Sequence, residues 1–177
     1  MSRLRNFFAR LFSNPLKECK RNGMKVGKGC NILSWKIIAE AYLIEIGDYV
    51  QITDGVHLFT HGGGWILRHY GRGISDYDSF GKVVIGNNVY IGNNACIMPG
   101  ITIGNNVVIG AASVVTKNVP DNVVIAGNPA RIINTIDNYC KKMERWNLHC
   151  KNMSDDKKKV FLLSLDDNKF IKVHKSL

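Results

Sequence analysis

His61, in the triplet Thr60-His61-Gly62, is the residue of this chain best suited to move a proton. An imidazole has an ordinary pKa of about 6.5, so its neutral form accepts a proton near neutral pH and can return it. Trp65, Arg68, Tyr70 and Arg72 follow within a short stretch, with His69 among them. Aromatic faces stack on apolar ring surfaces, and charged groups hydrogen-bond hydroxyls. Together these side chains read as a polar binding site with aromatic walls. Asn31 and Asp54 precede the histidine. Each either binds a hydroxyl or orients the imidazole, or serves as a turn residue bonded to its own backbone. His57 reads as an exposed strand residue, and His149 and His174 as surface residues of a charged tail. Cys96 lies among small packed residues and is a poor rival nucleophile.

What must position these groups is a repeat. Aliphatic residues fall at Ile85, Ile91, Ile97, Ile103, Ile109 and Val115, six apart each time. Gly86, Gly92, Gly104 and Gly110 follow four of them, and the Asn pairs 87–88, 93–94 and 105–106 follow close behind. The period recurs at Ile46, Ile52 and Leu58, and more faintly at Val26, Ile32, Ile38 and Ile44. An α-helix wants apolar residues three and four apart, and a hairpin sheet wants strict alternation. Six residues with one inward aliphatic and a Gly or Asn corner instead give a short strand and a tight turn, because Gly and Asn tolerate positive φ. Three such units close a triangular coil, and about five stacked coils make a stable solenoid. The period fails over 59–82, the segment that opens just before His61. A long excursion from a regular solenoid is costly to order and is usually functional.

The stretch 83–131, with Thr116-Lys117 and Pro120 leading to the Gly127-Asn128-Pro129-Ala130-Arg131 exit, closely resembles the hexapeptide-repeat acyltransferases, in particular their sugar O-acetyltransferase branch of the maltose and galactoside type. With the weaker coils the resemblance spans about residues 24–135. It implies a left-handed parallel β-helix, a homotrimer with active sites between subunits, and acetyl-CoA as cosubstrate with no metal required. It implies direct transfer of acetyl to a hydroxyl of a sugar, nucleotide sugar or surface glycan, with His61 as general base. The pantetheine arm is expected along Gly92, Gly110, Ala111, Ala112 and Ser113, and the nucleotide phosphates at Lys117 and Arg131. Tyr90 stands where relatives often carry Trp, and joins Asn31, Asp54, Trp65, Arg68, Tyr70 and Arg72 as an expected acceptor contact. Transfer to a non-sugar or amino acceptor, and a non-catalytic β-helix scaffold, are the alternatives. A β-helical carbonic anhydrase needs three metal-binding His, and no His lies between His69 and His149.

The remaining features bound the chain. Its +10 charge is carried by the ends: residues 1–30 hold eight Lys/Arg against one acid and 131–177 eleven against six, whereas 31–130 hold five against seven. A slightly acidic centre argues against nucleic acid. Five cysteines without a C-x-x-C pair suit a reducing cytoplasm. Leu4, Phe7, Phe8, Leu11 and Phe12 define an amphipathic helix over 3–12 with a basic flank, ended by Pro15. It either caps the first coil or a neighbouring subunit, or attaches to the inner face of an anionic membrane. The expected organisation is a helical segment over 1–23, the β-helix over 24–131 with its loop at 59–82, and a helical extension over 132–177, with helices near 132–150 and 154–165 and Ser154 as an N-cap.

Overall fold

The computed structural model describes residues 14–36, 40–70 and 74–171. The helix expected over 3–12, together with Ile38 and Arg72, lies outside them. The described chain is mainly β. In order its strands are β1 (Lys25–Val26), β2 (Asn31–Ile32), β3 (Ile44–Ile46), β4 (Gln51–Ile52), β5 (His57–Leu58), β6 (Val83–Ile85), β7 (Val89–Ile91), β8 (Cys96–Ile97), β9 (Thr102–Ile103), β10 (Val107–Ile109), β11 (Val114–Val115), β12 (Val123–Gly127) and β13 (Ala130–Thr135). They form three parallel sheets, β1-β3-β6-β9, β2-β4-β7-β10-β12 and β5-β8-β11, and β13 adds antiparallel to β12.

The register explains why strands of two or three residues persist. Val26, Ile46, Ile85 and Ile103 stack in the first sheet, and Val119 continues the column through a single bridge. Ile32, Ile52, Ile91, Ile109 and Ile125 stack in the second. Leu58, Ile97 and Val115 stack in the third. Apart from the half-buried Val26, these side chains are buried. Alternate residues point outward, as the pleat requires. Burying one such aliphatic contributes roughly 1.5–3 kcal/mol, so the columns hold what the short ladders alone would not.

The corners carry the repeat's second signature. Gly29, Tyr49, Asn88, Asn106 and Asn122 follow the first sheet, and all have positive φ. Gly55, Asn94 and Ala112 do the same after the second. Asn88 Nδ2 donates to Asn106 Oδ1 at 2.9 Å, and Asn106 Nδ2 to Asn122 Oδ1 at 2.9 Å. Beside them the side-chain oxygens of Asp48, Asn87, Asn105 and Asp121 each accept a backbone N–H of the preceding coil, at 2.7–2.9 Å. The pairs 87–88 and 105–106 therefore do two things: one member takes the left-handed turn and the other satisfies a corner N–H that no strand can reach.

Paired positions are normally one coil apart, as with Val84 and Thr102, 18 residues. Across the loop, Glu45 pairs with Val84 and His57 with Cys96, 39 residues apart in both cases. The difference of 21 residues leaves the stack without opening it. Within the loop, α2 (Trp65–His69) is a short helix. It follows α1 (Pro15–Arg21), which packs near β2; Asn14 caps it, its Oδ1 accepting from Lys17 N at 2.8 Å. Pro15 thus opens a helix, in the first-turn position where its missing N–H is harmless.

Two compact units divide after Ile136. The first holds the solenoid. The second contains most of α3 (Ile136–Glu144), then α4 (Asp155–Leu163) and a 3-10 turn at Asp167–Lys169. The helix expected from 132 starts only at Ile136. Residues 130–135 are strand instead, because the turn at Asn128-Pro129 reverses the chain onto the open edge of β12. Ser154 occupies the N-cap position of α4, but its hydroxyl makes no capping bond.

Replacing Asn106 tests the corner. Asn106→Ala removes both side-chain bonds and places a Cβ residue without Asn's tolerance at φ 54°. A loss of about 1–2 kcal/mol is expected, with a smaller loss for Asn106→Gly, read as the drop in thermal midpoint.

Candidate active site

His61 is set at the base of the loop by backbone pairing on both sides. It forms an antiparallel bridge with Phe80, Gly62 N donates to Ser79 O at 3.0 Å, and Gly81 N donates to Thr60 O at 2.8 Å. Thr60 is buried, and its predecessor Phe59 continues β5 by donating to Ile97 O. The imidazole therefore stands on the rigid stack although it belongs to the loop.

Its partner comes from the coil before. Glu40 Oε2 accepts from Thr60 Oγ1 at 2.6 Å and lies 2.8 Å from His61 Nδ1. Glu40 sits at φ 41°, ψ 42°, in the left-handed region, just before the 3-10 turn Ala41–Leu43. That conformation is costly for glutamate and is a mark of functional positions. The hydroxyl of Thr60 and then the ring of His61 hold the Glu40 carboxyl below its ordinary 4.5. Nothing in the sequence around Glu40 marks it as a partner of His61. Counting back one coil from His61, by the 20 residues that separate the paired Lys25 and Glu45, lands beside it.

The two residues open onto a cavity of about 360 Å³, lined also by glycines 62–64, Trp65, Arg68, Asp78 and Phe80. Arg68 Nε donates to Tyr77 O at 2.7 Å, and its Nη2 lies 3.5 Å from Asp78 Oδ2. Trp65 packs against His69 with ring centroids 4.6 Å apart. Phe80 meets His61 edge-on at 6.5 Å. Of the expected acceptor contacts, then, Trp65 and Arg68 join His61. Tyr70 is exposed and outside the cavity lining. Asn31 and Tyr90 point outward on the second sheet, with Gln51 between them, and Asp54 is an exposed corner residue. Within one chain these three do not line the cavity. Asp78 and Phe80 line it and were not anticipated.

A second cavity, of about 310 Å³, lies at the end of the solenoid. It brings together Lys117 and Arg131, with Thr116, Pro120, Ile125 and Ile132 around them. Gly92, Gly110, Ala111, Ala112 and Ser113 gather at the corner after the second sheet, but unequally. Gly92 is buried with its N–H bonded to Ile109 O, and a Cβ there would come within 2.6 Å of Ala111 N. Ser113 is fully buried, its hydroxyl donating to Gly110 O at 2.7 Å and accepting from Gly127 N at 3.2 Å. Gly92 and Ser113 therefore build the corner and do not offer ligand contacts. Ala111 and Ala112 are its exposed members. Among the described residues no group of His, Cys, Asp and Glu could hold a metal ion, and no helix is long and apolar enough to cross a membrane.

The chain is similar to known proteins in sequence and in fold. The bacterial transferase hexapeptide (six repeats) family matches residues 82–117. Protein CapG of Staphylococcus aureus is 45% identical over 167 residues, covering 91% of this chain and 95% of its own. A maltose O-acetyltransferase from Clostridium difficile superposes with a TM-score of 0.55 at 34% identity, over 66% of this chain and 72% of that one. A galactoside acetyltransferase in complex with coenzyme A superposes with a TM-score of 0.53 at 37% identity, over 67% of this chain and 58% of that one. The chain belongs to the hexapeptide-repeat acyltransferases, in their sugar acetyltransferase branch. The solenoid is accordingly a left-handed β-helix.

The lowered Glu40 pKa has a consequence for stability. A carboxyl whose pKa falls on folding stabilises the native state above its unfolded value, and that contribution is lost as pH drops through the folded value. Glu40→Gln should therefore be less stable than wild type at pH 7, with the gap closing below the ordinary carboxylate range, as seen in thermal midpoints measured from pH 7 to pH 3.

Proposed function

We propose that this chain transfers an acetyl group from acetyl-CoA to a hydroxyl of a sugar, nucleotide sugar or surface glycan, by direct attack with His61 as general base. The observation that carries the reading is the Glu40–His61 pair at the mouth of an aromatic-walled cavity. The coenzyme A complex and the maltose O-acetyltransferase among its solved relatives support both substrates. We further propose that the active unit is a homotrimer with sites between subunits, in which exposed Asn31, Asp54, Tyr70 and Tyr90 approach a neighbour's cavity.

The chemistry follows from the tautomer that Glu40 selects. A carboxylate accepts, so Nδ1 carries the proton and donates to Glu40 Oε2. Nε2 is left with its lone pair to take the acceptor's hydroxyl proton. Glu40 then faces an imidazolium and stabilises it, as the carboxylate of a Ser-His-Asp triad does. Acetyl-CoA supplies an activated thioester; the sugar oxygen bonds to its carbonyl carbon, the carbon–sulfur bond breaks, and the thiolate recovers the proton from Nε2. Thr60, by donating to the same Glu40 oxygen, fixes the carboxylate so that the ring does not swing. Lys117 and Arg131 would hold the nucleotide phosphates, whose several negative charges suit two cations in one cavity.

His61→Ala should lower acceptor-dependent thiol release from acetyl-CoA by about 10²–10⁴-fold, assayed against a panel of sugars, nucleotide sugars and glycans. Undiminished release in the variant would remove His61 as the base. Lys117→Ala should raise the KM for acetyl-CoA and leave kcat nearly unchanged, since it touches only the bound nucleotide; a fall in kcat alone would place Lys117 elsewhere.

A further inference from the structure

The charges around the cavity specify more than an acceptor hydroxyl. Among the described residues that line it Arg68 is the one permanent cation, and a free guanidinium there would recruit a carboxylate through two parallel hydrogen bonds. It is not free. Its Nε is spent on Tyr77 O at 2.7 Å, and Asp78 Oδ2 lies 3.5 Å from Nη2. Asp78 Oδ1 in turn accepts from Ser79 N at 3.1 Å, which fixes the carboxylate beside the guanidinium. Glu40 adds a second negative charge at the imidazole. With His61 neutral, as a base must be before reaction, the described lining sets two carboxylates, Glu40 and Asp78, against the one guanidinium of Arg68.

Two large apolar rings stand at the rim, Trp65 at 73% exposure and Phe80 at 55%. His69 covers part of Trp65, and Phe80 lies edge-on to the base. A carbohydrate ring stacked on Phe80 has its hydroxyls within the neighbourhood of His61, and its apolar C–H face meets a surface that water hydrates poorly. Its hydroxyls donate to carboxylate oxygens at no cost in charge. A ring bearing its own carboxylate would instead face two like charges and an arginine already answered.

We infer that the sugar ring entering this cavity is uncharged, and that Asp78, by neutralising Arg68, is the residue that rejects a uronic acid there. This rests on the acetyltransferase reading. It concerns the ring beside His61, so a charged diphosphate farther along the same acceptor is compatible with it.

The test takes whichever hexoside of a panel wild type acetylates, then measures its uronate and uronamide forms as competitive inhibitors of that transfer. The two inhibitors share every hydroxyl and nearly the same shape, and the amide replaces the carboxylate's charge with a neutral group. The uronate should bind about fivefold or more weakly than the uronamide, the scale of a single partly screened charge contact. Asp78→Asn, which keeps an oxygen for Ser79 N and leaves Arg68 unanswered, should shrink that ratio severalfold. Equal or tighter binding of the uronate to wild type, a uronic acid as the preferred acceptor, or an unchanged ratio in Asp78→Asn would each overturn the inference while leaving the transferase intact. Should the variant fail to fold, the wild-type ratio decides. Acetyl transfer to no sugar at all would overturn the underlying reading, and this inference with it.

Discussion

Every strand of the solenoid depends on the strands above and below it. A pair of residues such as Gln51–Ile52 has too few hydrogen bonds to hold itself in water, and nothing within its own coil supplies more. What fixes it is the aliphatic column through Ile32, Ile52, Ile91 and Ile109, where each side chain is roofed by the next at a constant register. The constraint is strict. One residue more or fewer in a coil would turn its inward aliphatic outward, since strand side chains alternate with period two. Coil length therefore changes in even steps that keep the inward face, 20 residues from Lys25 to Glu45, 18 from Val84 to Thr102 and 16 from Val108 to Val124, and the loop at 59–82 leaves the stack between complete coils.

That placement explains how a long loop can carry precise chemistry. The loop leaves from Leu58 and returns to Val83, both buried, and its first residues remain paired with its last. His61 is thus only three residues from the core. Glu40 reaches it from the previous coil, so the pair spans two layers whose spacing is set by the columns. The contact between imidazole and carboxylate is in effect a coil-to-coil contact, held by the same register that holds the isoleucines. Farther out, Trp65 and Arg68 ride on the short helix α2, and their restraint is local: Tyr77 and Asp78 for the arginine, His69 for the tryptophan.

The repeat was legible because each of its terms has one physical job. Ile85 to Val115 at intervals of six could only be inward columns, and the asparagines after them could only be corners. His61 was legible as the first titratable residue after the period breaks. Glu40 was not, because its meaning comes from stacking and its neighbourhood, where the period slips, offers no local sign. Ser113 misled in the opposite way: a hydroxyl at a small-residue corner looks available, yet burial turns it into a brace between Gly110 and Gly127. Strand β13 was hidden because Ile132, Ile133, Asn134 and Thr135 run directly into a helical pattern, and only the turn before them shows that they double back.

The reversal at β13 also decides how such a molecule ends. A stack of parallel strands is open at each end, and an open end offers its unpaired backbone to the first coil of another copy, the geometry by which fibres lengthen. Beyond β12 the chain runs the opposite way, so an incoming coil meets a strand whose direction does not continue the parallel stack. The sheet that builds the stack thus also contains, at that end, a strand that does not continue it.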